Sequence, residues 1–522
     1  MSAVASVETL QNSVRGRPLL VVAALMLASF TVGFDTRVFS VGLSDLRGAF
    51  DLSVDEGSWL STFAAAPQIL LAPAVPWLVT VFGVRRVMIW PCLFYAAVSL
   101  LIPQIHDVGL LITLHILRAL MLGIFIPATI MITFRNLDMR FWIIGLAIYS
   151  MRLPLSQNAG VFLVGLYTET LGLQWLYWQD VLLTPLVAIL IYLGAPREPV
   201  DVKRLESADW GGILLLGASM TLIYIGLDQG TRLDWFESGR VITMLAAGGA
   251  LALIFLINES LVRDPWAHVS ILASRNLLLG LAAIVAYVAA STTTFLIIPG
   301  FLETVAALRP VQIANLYIPA AIVPLFCAVP LAALFLLRFD ARWGLVIGFS
   351  LMAIGSLLAT FVTGVWALGN FTFIVAIQIV GQGFALLSAI AFIVSNTDPR
   401  RTTSSSAYVQ VVRLVGAELA ATLTSTFITK REQFHSNAVG LHVTQASEAT
   451  ERALHKLVPV FQKTSETATA EAAVTIAQRV AEQAYVLAYA DGFRLAFFAA
   501  LAGLILTALM KPSPKGPLSS RW

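Results

Sequence analysis

Residues 197–259 read REPVDVKRLESADWGGILLLGASMTLIYIGLDQGTRLDWFESGRVITMLAAGGALALIFLINE, and this stretch decides the fold. It opens on a charged linker, 196–209, and continues into two apolar runs at 210–228 and 240–258, parted by a short polar turn. A helix that crosses a bilayer needs roughly 20 mostly apolar residues, so each run is long enough to span one. The same pattern recurs on both sides. Upstream lie apolar runs at 18–42, 57–82, 86–105, 108–133, 141–167 and 175–195; downstream lie 276–302, 311–337, 343–364, 368–395, 405–429 and 491–510. The expectation is an all-α integral membrane protein with 14 transmembrane helices. A six-helix bundle over 18–195 and another over 276–510 flank the additional pair at 210–258.

Composition agrees. The chain has 522 residues, of which 58% are hydrophobic and only 12% charged, against about 25% charged in soluble domains. The mean hydropathy is +0.83, so the apolar excess is global. A formal net charge of +3 with no basic cluster gives no sign of nucleic-acid binding. The two cysteines, Cys92 and Cys327, sit far apart inside apolar runs and imply neither a disulfide framework nor a metal site. No nucleophile constellation, metal cluster or soluble catalytic domain is visible, so no enzyme is expected, and no cofactor. Residues 1–17 form a polar tail with Arg15 and Arg17. The run after it is too long for a signal-peptide core and reads as a retained first membrane helix.

Lysine and arginine orient the chain. Arg85/Arg86, Arg135/Arg140, Arg197/Lys203/Arg204, Arg263/Arg275, Arg338/Arg342 and Arg400/Arg401 all fall in even-numbered loops. The two tails, 1–17 and 511–522, add Arg15, Arg17, Lys511, Lys515 and Arg521. The short odd-numbered loops hold only Arg47, Arg232, Arg240 and Arg309. By the positive-inside rule both termini are cytoplasmic. Residues 430–490 then form a long outer loop. Its Ala, Glu, Gln and Thr content, the helical spacing of Ala453, Leu457 and Phe461, and the helical pattern over 470–488 describe an extramembrane element rather than a flexible linker. It is either a passive cover or a docking element.

A faint internal repeat supports paired halves. Ala74-Val75-Pro76 precedes a basic turn at Gly83-Val84-Arg85-Arg86, and Ala328-Val329-Pro330 precedes one at Arg338–Arg342. Repeated halves with a substrate site between them near the midplane are a mark of secondary transporters.

Charges at membrane depth cost roughly 2.5–3.5 kcal/mol on insertion scales and tend to be kept for function. Asp35 and Arg37 lie in the first run, His115 and Arg118 one turn apart in the fourth, Arg152 in the fifth, and Arg413 and Glu418 in the thirteenth. Asp35 is the acid best placed to carry a proton, since a carboxyl whose solvation changes between two states binds a proton in one and releases it in the other. Arg118 is its natural counter-charge, because arginine cannot be discharged. The competing reading is a static Asp35–Arg118 pair. His115 is either a relay or a packed neutral imidazole. Glu418 could titrate or hold a cationic group, Arg152 an anionic one. Gly83, Arg85 and Arg86 form a tight turn that anchors topology and could latch a gate. Gln157, Asn158, Gln382 and Arg413 complete the candidate substrate contacts, in the mixed polar and aromatic company that suits amphipathic organic molecules.

Taken together, these residues resemble the major facilitator superfamily, in the fourteen-spanner drug:proton antiporter branch of EmrB/QacA type. The resemblance is most specific at Asp209-Trp210-Gly211-Gly212, Leu227-Asp228-Gln229-Gly230, Asp234-Trp235-Phe236, Glu259, Pro265 and Ser274-Arg275-Asn276. It also includes Gln483 and Asp491-Gly492-Phe493 at the end of the outer loop. Asp35-Thr36 is similar to the acidic motif of the first helix, Trp59 and Thr62 to the start of the second, Arg118 and Gly123 to the fourth-helix arginine motif tied to proton transfer, and Leu78, Gly83, Arg85 and Arg86 to the gating loop. The departures are Pro76 and Thr80 for the gating motif's leading glycine and its acid, and Arg152-Leu153-Pro154-Leu155-Ser156-Gln157-Asn158-Ala159-Gly160 in place of the fifth-helix antiporter motif. The resemblance implies a secondary active, proton-driven antiporter in the cell inner membrane that exports small organic or amphipathic compounds by alternating access. It also implies a periplasmic adaptor and an outer-membrane channel as partners. The alternative is proton-coupled uptake, or facilitated diffusion, of a specific metabolite or organic acid.

Overall fold

The computed structural model describes residues 17–136, 142–262, 265–398, 401–443, 447–461 and 468–513. At some helical positions, among them Thr36, Arg37, Arg152, Gln157 and Asn158, only the backbone belongs to the described part. Helices dominate. In the first half they are α1 (Pro18–Val41), α2 (Val54–Leu71), α3 (Val75–Phe82), α4 (Val84–Leu101), α5 (Val108–Asn136), α6 (Trp142–Leu166) and α7 (Trp175–Gly194). The additional pair is α8 (Trp210–Asp228) and α9 (Gly239–Leu261). The second half runs through α10 (Arg275–Thr292), α11 (Ile298–Thr304), α12 (Pro310–Tyr317), α13 (Val323–Leu336), α14 (Ala341–Ala359), α15 (Leu368–Asn396), α16 (Thr402–Gly440), α17 (Glu448–Phe461) and α18 (Ala468–Leu509).

Among the described residues 11 helices are long and apolar enough to cross a membrane, or 12 when the bent pair α2–α3 counts as one span. Each of the 14 apolar runs has helix at its core. Bands of exposed apolar side chains, such as Leu182, Ile189, Leu214, Leu253, Leu331 and Phe361, face outward; water would not tolerate them and lipid would.

Two expectations need correction. The run 57–82 is not one straight helix: α2 and α3 meet at 52°. Pro73 sits in the break, where it removes a backbone donor and its ring clashes with the preceding turn. Nor do the flanking helices stop at 429 and restart at 491: α16 runs to Gly440 and α18 begins at Ala468, so the helical pattern expected over 470–488 is the first part of a longer helix. α16 has 39 residues and α18 has 42, about 58 and 63 Å at 1.5 Å per residue, against a hydrocarbon core of about 30 Å. Hydropathy ends a membrane segment where polar residues begin, but the Ala-, Glu- and Gln-rich sequence still favours helix, so the backbone continues past that point. Asp491 ties the two long helices together, accepting from Arg431 Nε at 2.6 Å and His435 Nε2 at 2.9 Å. α17, bearing Ala453 and Leu457, packs on α18.

The halves meet along two seams. On one, α6 packs against α12, α13 and α15; on the other, α16 packs against α3 and α5. The additional pair is not peripheral to the second seam, because α8 lies against both α2 and α16. α8 and α9 pack on each other through Gly248, and Ser219 Oγ donates to the Gly248 carbonyl at 2.8 Å.

Candidate functional site

The first half encloses a charged cluster that four helices build. α1 brings Asp35, α4 brings Ser99 and Tyr95, α5 brings His115 and Arg118, and α7 brings Tyr177 and Asp180. Asp35, His115, Arg118 and Asp180 are 3%, 1%, 2% and 0% exposed, so water cannot solvate these charges. Arg118 satisfies them with its fork of donors: Nη1 pairs with Asp35 Oδ1, Nη2 with Asp180 Oδ2 at 2.7 Å, and Nε donates to Ser99 Oγ at 2.9 Å. The guanidinium also lies over the rings of Tyr95 and Tyr177, at 4.5 and 5.2 Å from their centroids, where the ring quadrupole attracts a cation. The Tyr95 hydroxyl sits between the acids, 3.5 Å from Asp35 Oδ1 and 3.4 Å from Asp180 Oδ2.

His115 is spent on local bonds. Its Nδ1 lies 2.8 Å from the Leu111 carbonyl and its Nε2 3.1 Å from the Tyr177 hydroxyl. With Nδ1 donating and Nε2 accepting, the ring is neutral and holds Tyr177 against Arg118. That geometry matches the packed imidazole better than a relay in direct contact with Asp35.

Sequence reasoning missed Asp180. It lies only five residues into the sixth apolar run, where an acid reads as an interfacial residue at the end of a span. The available signal was a carboxylate between aromatic and aliphatic neighbours, Trp175-Leu176-Tyr177-Trp178-Gln179-Asp180-Val181-Leu182, with no lysine or arginine nearby in the run.

Around Gln378 and Gln382 the second half offers polarity without charge. Gln382 Nε2 donates to Thr294 Oγ1 at 2.8 Å, Gln378 Nε2 to Ser356 Oγ at 2.8 Å, and Thr293 and Ser356 share a hydrogen bond at 2.9 Å. Thr293 and Thr294 belong to a π-helical turn, Thr293–Ile297, a local widening that often re-aims side chains at functional positions.

Arg413 and Glu418 point to different partners, as their five-residue spacing implies. Arg413 Nη2 donates to Gln410 Oε1 at 2.9 Å, and Gln410 Nε2 reaches Tyr149 of α6 at 3.4 Å, a link between the halves. Glu418 accepts from Thr422 at 3.1 Å and faces Tyr224 and Asp228 of the additional pair. Asp228 in turn is bonded to Thr62 of α2. The side chains of Arg152, Gln157 and Asn158 lie outside the described residues.

Gly83, Arg85 and Arg86 form a turn clamped to the end of α7 and the linker. Gly83 has φ of +79°, and a Cβ there would come within 2.9 Å of Glu198, so glycine is required twice over. Arg85 Nε donates to the Ala195 carbonyl at 2.6 Å and its guanidinium lies over Tyr192; Arg86 Nη1 donates to the Glu198 carbonyl at 3.2 Å.

Comparison with known proteins places this geometry. The Major Facilitator Superfamily profile matches residues 25–421. The probable multidrug resistance protein EmrY of Escherichia coli (strain K12) is 24% identical over 441 residues, covering 81% of this chain and 83% of its own length. The multidrug export protein EmrB of Haemophilus influenzae is 22% identical over 509 residues, covering 95% and 96%. Among solved structures, an auto-inhibited POT family peptide transporter superposes with a TM-score of 0.55 at 14% identity, covering 94% of this chain and 96% of that one; the likeness is one of fold.

Proposed function

The chain belongs to the Major Facilitator Superfamily and is a multi-pass secondary transporter, and from that premise we propose that it is a proton-coupled antiporter exporting small organic or amphipathic compounds. The observation that carries this reading is the buried Asp35–Arg118 pair at membrane depth. A buried ion pair often adds little net stability, so its presence argues for a task beyond holding the bundle together. The distant likeness to EmrB, named a multidrug export protein, supports the outward direction. In this reading the chain has fourteen spans, with both termini in the cytoplasm of an inner membrane. The charged first-half cluster carries the proton, and the uncharged Gln378, Gln382, Thr293 and Thr294 face the substrate path. Arg152, Gln157 and Asn158, on the α6 seam between the halves, are further substrate contacts. The turn at Gly83–Arg86 latches the cytoplasmic gate, and the protruding ends of α16 and α18 with α17 dock a periplasmic adaptor leading to an outer-membrane channel.

The test is ethidium transport in everted membrane vesicles energised by an imposed pH gradient. Wild-type protein accumulates the dye, and Asp35→Asn abolishes accumulation while remaining inserted at normal levels. Full transport by Asp35→Asn removes the coupling role. Accumulation of ethidium in intact expressing cells, in place of its exclusion, would favour uptake.

A further inference from the structure

We propose that Asp180 is a second proton-carrying carboxyl, and that Asp35 and Asp180 together hold one exchangeable proton across Arg118. The proposal rests on the proton-coupled reading above and deepens it by naming how the site is charged.

The argument begins with charge. Among the described side chains the cluster contains one obligatory cation, Arg118, and two carboxyls, Asp35 and Asp180, each pairing with a different guanidinium nitrogen. The other titratable groups facing them are Tyr95 from α4, His115 from α5, Tyr177 from α7 and Tyr167 from the turn after α6. None adds a positive charge: the tyrosines are neutral or negative, and the bonds of His115 fit the neutral ring. Two ionised carboxylates beside one arginine would leave a net negative charge in a site no more than 3% exposed. Uncompensated buried charge costs several kcal/mol, and like-charged carboxyls sharing a site resolve that cost by keeping a proton between them. One proton makes the cluster neutral.

Geometry supplies the second observation. Asp180 Oδ2 takes the Arg118 bond, whereas Asp180 Oδ1 is buried with no hydrogen-bond partner. A carboxylate oxygen stripped of water and of donors is the least stable place for negative charge and the natural atom to protonate. Asp35 takes the bond from Arg118 and the longer contact with Tyr95. The pair is therefore asymmetric: among the described side chains, Asp180 and not Asp35 has a buried carboxyl oxygen without a hydrogen-bond partner. One O–H bond forms when a proton arrives from the outer phase, and the same bond breaks when the site opens to the cytoplasm. No other bond changes. Because the two acids share one cation, they titrate as a unit.

Infrared difference spectroscopy on purified full-length protein tests this directly. The expected result is a carbonyl-stretch band of a protonated carboxylic acid at neutral pH, shifted in D2O. It is lost in Asp180→Asn and equally in Asp35→Asn, since either change leaves one acid balanced by Arg118. Persistence of that band in either single variant overturns the shared proton, as does its absence from the wild type, which needs no variant to fold. In vesicles, Asp180→Asn should lose gradient-driven ethidium transport by about tenfold or more while gradient-free ethidium exchange persists, and Asp180→Glu should restore part of the driven transport. Driven transport unchanged in Asp180→Asn overturns the coupling role of Asp180 alone. A lost band with no driven transport by the wild type overturns the export reading and leaves the proton site standing.

Discussion

At the scale of single residues, Arg118 is the group on which the first-half site turns. Each of its three nitrogens is engaged, Nε by Ser99, Nη1 by Asp35 and Nη2 by Asp180. A lysine carries the same charge as a compact point on a flexible stem and cannot reproduce the fork. Arg118→Lys should therefore insert normally yet lose gradient-driven ethidium transport by about tenfold or more, measured in everted vesicles against equal amounts of protein. Transport near the wild-type level would mean that charge alone, and not the fork, organises the acids. The sequence displayed Asp35 and Arg118 plainly, since charges inside apolar runs are conspicuous. It could not display that Asp180 closes on the same guanidinium, because that depends on how α7 packs against α1 and α4.

At the scale of elements, α2 is the platform on which neighbours seat themselves by close backbone approach. A Cβ at Gly123 of α5 would lie 2.4 Å from the Gln68 carbonyl oxygen, and one at Gly217 of α8 would lie 2.3 Å from that of Leu70. Backbone atoms cannot yield as a flexible side chain can, and small residues at such crossings let membrane helices approach. Around this contact α8 adds Trp210 edge-on to Trp77, with Gln229 bonded to Ser58 at 3.2 Å, and beyond it Arg232 paired with Asp55. On the far side Thr231 meets Thr426 of α16 at 2.9 Å. The additional pair thus pins both halves near one seam. Gly217→Leu should unseat it, at a cost of about 1–3 kcal/mol for overpacking. The readouts are a lower midpoint of thermal unfolding in detergent and loss of an oxidative cross-link between Thr231→Cys and Thr426→Cys. An intact cross-link in the Gly217→Leu background would show that the contact is dispensable.

At the scale of the whole molecule, the two halves divide their chemistry. The first encloses the ionic cluster of Asp35, Arg118 and Asp180; the second sets amides and hydroxyls around Gln378 and Gln382, with Arg413 and Glu418 on the seams of α16. Protons bind to titratable groups and organic molecules to mixed polar and apolar walls, so the asymmetry suits a carrier that binds both. The excess of lysine and arginine in alternate loops argues for cytoplasmic termini. Alkaline phosphatase fused after residue 440 should be active, and fused at the C-terminus inactive, while a fluorescent protein at the C-terminus should glow. An active C-terminal phosphatase would reverse the assignment or change the number of spans.

The sequence by itself determined the class of molecule. Apolar runs of bilayer length, their grouping about residues 210–258, the turn at Gly83–Arg86 and the isolated Asp35 and Arg118 are all properties of local pattern. Hydropathy and the cost of buried charge act on each segment before any two segments meet. Only the tertiary structure decided which acids share Arg118, that His115 is consumed by Leu111 and Tyr177, that α8 bridges α2 and α16, and that two membrane helices run on into 430–490. The shared guanidinium, the His115–Tyr177 bond and the α8 bridge arise where helices distant in sequence come within contact of one another, and the pattern within a single helix specifies a face but not its partner; the run-on of α16 and α18 needed the structure because hydropathy marks where a span turns polar, not where its helix ends.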